Sequence, residues 1–313
     1  MNHLIQTNVP LNDKNWFNTG GAARYFAQPH TAQEFQRAIE YANQEELPIF
    51  ILGKGANILM SDEGFEGLVV QPNLNEIQIL SSPDQVLVKA GAGASMHDLI
   101  LFCLENSIIG LEEFSGIPGT VGGSLYINLH YYEFLLEQFL FSATVLNKKT
   151  NQHSIVTPDW FAFGYNKSKL QEEQYYLLDA TFILKKATDL ETAFARGRRK
   201  EIIRHREKRY PSKNTCGSFF RNFLDHEVTL MSNNKKIIYV AYYLDKIGVK
   251  GHLRVGDAIV SHQHANMIVN QGNATSTDII TLARTMQELV QKEFGIIPQP
   301  ECRLIGFKKN PLL

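Results

Sequence analysis

Three glycine-dense turns, arranged in order along the chain, set the strongest limit on what it can fold into: GKGAN from Gly53 to Asn57, GAGAS from Gly91 to Ser95, and GIPGTVGG from Gly116 to Gly123. Glycine tolerates positive φ and has no side chain to block contact, so backbone amides in such turns can approach a diphosphate closely. The first two turns each follow a strand-like run and resemble the start of a dinucleotide fingerprint. Neither has the third glycine of GxGxxG, and only the second opens a helix. The third places Gly116, Gly119, Gly122 and Gly123 around Pro118. One such segment alone reads as a tight turn under a sheet. Three in order point to a phosphate-bearing cofactor.

The totals narrow the remaining classes. The chain has 313 residues, too many for one simple core, so two or three domains are expected. Lysine and arginine number 31 against 32 acidic residues, which leaves no net field to hold a polyanion or a membrane surface. Nucleic acid and membrane are not expected partners. The amino terminus lacks a basic segment followed by an apolar core, and no run has the length of a spanning helix, so a cytoplasmic location is expected. Cys103, Cys216 and Cys302 form no close pair and no metal-ligand cluster. His262 and His264 in SHQHAN come nearest to a ligand pair and read as polar surface or supporting residues, so no metal is expected.

Periodicity places the turns. TAQEFQRAIEYANQEE from Thr31 reads as a capped amphipathic helix, with Phe35, Ile39 and Ala42 on one face; IFIL and GLVVQ read as strands on either side of the first turn. QVLVKA is a strand, GAGAS a turn, and MHDLILFCLENS a helix ending near Asn106. FSATVLNKKTNQHSIV reads as a hairpin, and YYLLDATFILKK as a further strand. Residues 188–209 read as a helix rich in cations, among them Arg196, Arg198, Arg199, Arg204 and Arg206, whose simplest role is a solvated face. ANMIVN then gives a strand, and TDIITLARTMQELVQKEF a long amphipathic helix closed by Gly295.

Beyond these elements, an ordered series of motifs runs from about Asn18 to Phe307: NTGGAARYF, LGKGANILMSDEGFEGLVV, GIPGTVGG, FGYNKS, CGSFFRN, KGHLRVGDAIVSHQHANMIVN and PECRLIGF. In this series the chain resembles the UDP-N-acetylenolpyruvoylglucosamine reductase family, in its shorter branch without the extra tyrosine-bearing loop. The resemblance implies an α+β fold. It comprises an FAD-binding fold of the vanillyl-alcohol-oxidase (PCMH) type in two α/β subdomains, residues 1–72 and 73–206 with 296–313 returning to the second, plus a smaller α+β substrate-binding domain at 207–295. It also implies non-covalent FAD, NADPH as co-substrate, and reduction of an enolpyruvyl UDP-sugar by a monomer in peptidoglycan precursor synthesis.

The same resemblance assigns roles. Ser218 matches the family's proton donor, Glu301 the carboxylate that polarises substrate or relays the proton, and Asn166 the position of an arginine facing the developing enolate. The cofactor would be held by Gly53, Lys54, Gly55, Ala56, Asn57 and Ile58, and by Gly116, Ile117, Pro118, Gly119, Thr120, Gly122 and Gly123. Substrate would be held by Tyr165, Lys167, Arg221, Asn222 and Asn266. The chain departs from the family pattern at Asn166, where an amide brings neither positive charge nor a bidentate fork. It departs again at Leu129, His130 and Tyr131, where small residues are usual and bulk needs room or a shifted backbone. Ala56, Asp257 and Phe223 are smaller departures. Two alternatives stay open: a non-catalytic or weakly active homologue binding a nucleotide sugar, and another flavin oxidase or dehydrogenase of the same fold. Cys216 reads as a packing residue.

Overall fold

The computed structural model describes residues 4–81 and 85–313, and these fall into two compact units. The first comprises residues 4–7, Tyr25–Lys54 and Gly67–Arg206; the second comprises Asn8–Arg24, Gly55–Glu66 and Glu207–Leu313.

In the first unit, helix Ala32–Gln44 starts where the Thr31 hydroxyl accepts the Glu34 N–H at 3.1 Å. Its apolar stripe of Phe35, Ala38, Ile39 and Ala42 is fully buried, in one core with Ile49, Leu68 and Val70. These come from the parallel strands Ile49–Ile51 and Phe65–Val70, with Ile49 opposite Leu68. A larger antiparallel sheet runs in the order His153–Val156, Leu140–Asn147, Tyr175–Lys186, Val86–Gly91, Ile77–Ser81. Its twelve-residue strand Tyr175–Lys186 is buried on both faces: Tyr176 and Leu178 join the core under the first helix, while Leu177, Ala180, Phe182 and Leu184 join a second core. The change of face follows a bulge, because Thr144 pairs with Asp179 and the next residue, Val145, with Leu177. Helix Met96–Glu105, capped by Ser95, fills that second core with Met96, Leu99, Ile100, Cys103 and Leu104.

The glycine-dense third segment is only partly a turn. Thr120 accepts the Gly123 N–H at 3.1 Å, and a short helix, Val121–Tyr126, runs out of it. Two glycines hide this helix from propensity reading, but Gly122 lets its first turn sit on the Ala92 carbonyl.

The second unit is built on helix Ser276–Phe294, which begins in a capping box of Thr275 with Asp278 and ends at Gly295 in the left-handed conformation. Its buried face of Ile279, Leu282, Ala283, Met286 and Val290 packs with Val260 and Ile268 of the small sheet Arg254–Val255, Ala258–Val260, Ile268–Asn270, and with Tyr243 and Leu244 of helix Val240–Lys246. Residues 296–313 lie in this second unit and not with residues 73–206, as the sequence reading had them. The physical reason is a parallel pairing of Arg303–Ile305 with Ile58–Met60, which registers Arg303 on Ile58 and fixes Leu59 in the same core.

Candidate active site

In the second unit the CGSFFRN segment is held as an extended stretch between two neighbours. On one side Ser218 bridges to Met267, and the Phe219 N–H donates to the Asn266 carbonyl at 2.8 Å. On the other side Phe220 bridges to Pro300, and the Phe219 carbonyl accepts the N–H groups of Glu301 at 2.8 Å and Cys302 at 3.1 Å. Ser218 and Glu301, more than eighty positions apart in sequence, are thus fixed on adjoining segments joined through Phe219. Asn57, at the end of the first glycine turn, adds a third connection: its carbonyl accepts the Arg303 N–H at 3.1 Å, and its side-chain amide reaches the Glu301 carbonyl at 3.5 Å. Ile58 is buried in the following strand.

Phe219 and Phe220 anchor this arrangement, both fully buried with rings edge-to-face at 5.1 Å. Cys216 and Cys302 are buried free thiols in contact with each other. Burial raises the Cys302 thiol well above its ordinary range, so the packing role read for Cys216 extends to the pair.

Three residues assigned to substrate have their functional groups engaged by protein. The Arg221 guanidinium forks onto Glu227 at 2.7 and 2.8 Å and donates to the Asn222 carbonyl at 2.9 Å. That hydrogen bonding holds the Glu227 carboxyl down to about 2. The Asn222 side-chain oxygen accepts the Val240 N–H at 3.4 Å, at the start of a helix. Asn266 is buried, with its amide spent on Phe220.

In the first unit FGYNKS forms a tight turn and not an extended run. Gly164 and Lys167 exchange N–H···O bonds at 3.1 and 3.2 Å, and Asn166 occupies the left-handed conformation at φ 54°. Asparagine tolerates that conformation, which costs arginine more. The turn is pinned from below, since the Gln171 amide donates to the Asn166 and Tyr126 carbonyls at 2.8 and 2.9 Å. Tyr165 and Lys167 are exposed. Both polar atoms of the Asn166 side chain are buried and have no partner among the described residues.

The bulky departure at 129–132 is accommodated by a hairpin. Asn128 and Tyr132 take positive φ, His130–Tyr131 pairs with Phe134–Leu135, and Leu129 turns into the second core. The His130 ring lies against Tyr165 at 5.1 Å, and burial lowers its proton affinity.

The glycines separate into two kinds. A Cβ at Gly55 would lie 2.6 Å from Asn15 Cα, at Gly91 2.1 Å from the Leu74 carbonyl oxygen, and at Gly93 2.4 Å from that of Pro72; these glycines are explained by chain packing. At Gly116 the neighbour is Arg206 Cδ, 3.2 Å away. By contrast, a Cβ at Gly53, Gly119 or Gly123 would meet nothing but the side chains of Thr120 and Ser124, at 2.8, 3.3 and 3.4 Å respectively. At the start of the same segment the Ser115 hydroxyl is buried with no partner among the described residues. A surface of main chain and hydroxyls without side-chain bulk fits a cofactor diphosphate, which needs donors at close approach.

Arg206, placed by its sequence on a solvated helix face, instead donates its Nε to the Gly116 carbonyl at 3.2 Å, and its guanidinium lies over the Tyr131 ring at 5.8 Å. Helical spacing carried the signal: positions 199 and 206 fall on the stripe of the buried residues Ala195 and Ile202. Arg198, by comparison, forks onto Glu113 at 2.7 and 2.9 Å.

Comparison with known proteins bears on the whole chain. The family described as UDP-N-acetylenolpyruvoylglucosamine reductase, C-terminal domain, matches residues 209–305, and an FAD binding domain matches residues 23–152. A UDP-N-acetylenolpyruvoylglucosamine reductase of Listeria monocytogenes is 32% identical over 306 residues, covering 97% of this chain and 96% of the relative. That of Lachnoclostridium phytofermentans is 30% identical over 320 residues, covering 98% and 94%. The crystal structure of the Thermus caldophilus reductase superposes with a TM-score of 0.76 at 27% identity, covering 95% of this chain and 97% of that one. The expected α+β fold with an FAD-binding domain is therefore borne out, and the chain belongs to the UDP-N-acetylenolpyruvoylglucosamine reductase family.

Proposed function

We propose that this chain reduces UDP-N-acetylglucosamine enolpyruvate to UDP-N-acetylmuramate with NADPH, through non-covalently bound FAD, in peptidoglycan precursor synthesis. Full-length relatedness to reductases of that name supports the reading, and the observation that carries it is the placement of Ser218 and Glu301 on adjoining segments through Phe219. No helix among the described residues is long and apolar enough to cross a membrane. The partners in this reading are small molecules, and the working unit is a monomer in the cytoplasm.

Gly53, Gly119, Thr120 and Gly123 would hold the cofactor diphosphate, with Lys54 to Ile58 and the rest of the Gly116–Gly123 segment contributing main chain. Bound FAD, once reduced by NADPH, would supply hydride to the vinyl carbon of the substrate. Negative charge then develops on the neighbouring carbon and its carboxylate. Ser218 delivers its hydroxyl proton to that carbon, and Glu301 assists by polarising substrate or returning the proton. Serine is a weak acid, so the step requires donors that lower its proton affinity in a site shielded from water. At the position where the family pattern carries its enolate-facing arginine, Asn166 would offer an N–H donor, and Tyr165 and Lys167 flank it on the same turn. Arg221 and Asn222 support the segment that carries Ser218.

Purified protein tests the reading directly. It should be yellow, release its flavin on acid precipitation, and oxidise NADPH only when the enolpyruvyl sugar nucleotide is present. Rapid turnover with oxygen in place of that substrate would reassign it to the oxidases.

A further inference from the structure

The side chain of Asn266 behaves as a surrogate peptide unit. Its Oδ1 accepts the Phe220 N–H at 3.1 Å and its Nδ2 donates to the Phe220 carbonyl at 2.7 Å, while its own carbonyl accepts the Phe219 N–H at 2.8 Å. The residue is 3% exposed, so water cannot replace these bonds. Its backbone N–H is in turn fixed by His264 Nδ1 at 3.3 Å. Between Met267 and Pro300 the CGSFFRN segment makes isolated bridges at Ser218 and Phe220, with no continuous ladder among the described residues. The Asn266 amide supplies the main-chain pairing that a further strand residue would have given at Phe220. The segment held this way carries Ser218 one residue before Phe219, and Phe219 is the residue whose carbonyl accepts the Glu301 N–H.

We propose that Asn266 is a positioning residue for the protonation step: it sets the separation of Ser218 from Glu301 and does not touch substrate. The inference rests on the roles given to Ser218 and Glu301 above. Only an amide meets both demands at Phe220. Aspartate keeps the acceptor and loses the donor, leucine of similar size leaves both Phe220 groups unpaired, and serine offers one short hydroxyl. Misplacement of a reacting group by an ångström or less is enough to slow its step strongly.

The test is stopped-flow measurement on the FAD-loaded Asn266→Asp and Asn266→Ser variants, with the two half-reactions followed separately. Bleaching of the flavin by NADPH should match wild type, whereas reoxidation by UDP-N-acetylglucosamine enolpyruvate should slow by roughly 10- to 100-fold, with KM for that substrate little changed and a larger solvent isotope effect. A raised KM at unchanged maximal rate would mean that Asn266 binds substrate, and would overturn the proposal. Equal loss in both half-reactions, or failure of both variants to fold, would reduce Asn266 to a structural residue and overturn it as well. Ser218→Ala is run alongside. If that variant still reoxidises at the wild-type rate, the assignment of the acid has failed; if it does not while both Asn266 variants behave as wild type, only the positioning role has failed.

Discussion

The main-chain N–H of Glu301 donates to the carbonyl of Phe219 at 2.8 Å, so the carboxylate-bearing residue is registered against the segment that carries Ser218 by a backbone bond and not by side-chain reach. That bond does not depend on the side chains of Ser218 or Glu301, which makes the two functional groups separately testable. Ser218→Ala should abolish product formation while leaving flavin reduction by NADPH intact, and Glu301→Gln should slow only reoxidation. For Glu301→Gln the slowing should lie in the range of roughly 10² to 10⁴, and for Ser218→Ala at or beyond its upper end. Transient absorbance of the flavin checks them, and equal loss of both half-reactions in Ser218→Ala would contradict its role as proton donor.

Asn166 combines a left-handed backbone with a buried, unpartnered amide. Asn166→Gly keeps the backbone at ease and removes only the amide. Its melting temperature should therefore stay near wild type while turnover falls by roughly 10-fold or more, the loss expected when an oxyanion donor is removed. Asn166→Arg should do the reverse. A guanidinium at the developing charge raises turnover, and the strained φ lowers stability by about 1 kcal/mol. Steady-state kinetics beside thermal melts of the two variants decide the point; unchanged turnover in Asn166→Gly would show that the amide meets no reacting group.

Much of this was legible in the residues themselves. The Thr31 cap, the helices that follow GAGAS and QGNATS, the terminating Gly295 and the strand Tyr175–Lys186 follow from local rules of spacing and capping, so sequence alone places them. What local rules could not supply is pairing at long range. The bond between Asn57 and Arg303, and with it the transfer of residues 296–313 to the second unit, depends on a parallel register that no nearby residue signals. Nor does a motif show where its polar side chains go. Asn266 and Arg221 stand in segments that match the family pattern, yet their side chains are engaged by Phe220 and Glu227. Glycine composition was ambiguous for a related reason, since Gly91 and Gly119 look alike in sequence and differ only in what lies opposite them.

That difference predicts opposite outcomes for one substitution. Gly91→Ala places a methyl 2.1 Å from the Leu74 carbonyl, a rigid backbone atom, and should destabilise the apo protein by about 3 kcal/mol or more. Gly119→Ala meets only the Ser124 hydroxyl at 3.3 Å, which can rotate away. It should melt near wild type as apo protein yet bind FAD at least 10-fold more weakly. Apo melting curves and flavin fluorescence titration measure the two effects independently. Wild-type FAD affinity in Gly119→Ala would remove that glycine from the cofactor surface.

Acid should lower stability in two separable pH windows. Burial, aided by the nearby Arg209 and Lys250 charges, lowers the His264 pKa to about 4 from 6.5. Its neutral ring accepts the Asn266 N–H, whereas the unfolded chain takes up a proton at the ordinary value. Stability from this group is therefore complete above pH 6.5 and is lost as pH falls toward 4, by on the order of 2 to 3 kcal/mol. Glu227 acts in a lower window. Hydrogen bonding to Arg221 holds its carboxyl at about 2 against an ordinary 4.5, so its contribution is complete above pH 4.5 and is lost progressively as pH falls from there toward 2. Thermal melts recorded between pH 2.5 and 7.5 should show both slopes. His264→Asn, which keeps an acceptor near the Nδ1 position but cannot titrate, should flatten the curve between pH 6.5 and 4 and leave the lower slope. Glu227→Gln should do the opposite. A His264→Asn curve that still falls through the upper window would place the acid sensitivity elsewhere, and would detach the Asn266 clamp from the protonation state of its neighbour.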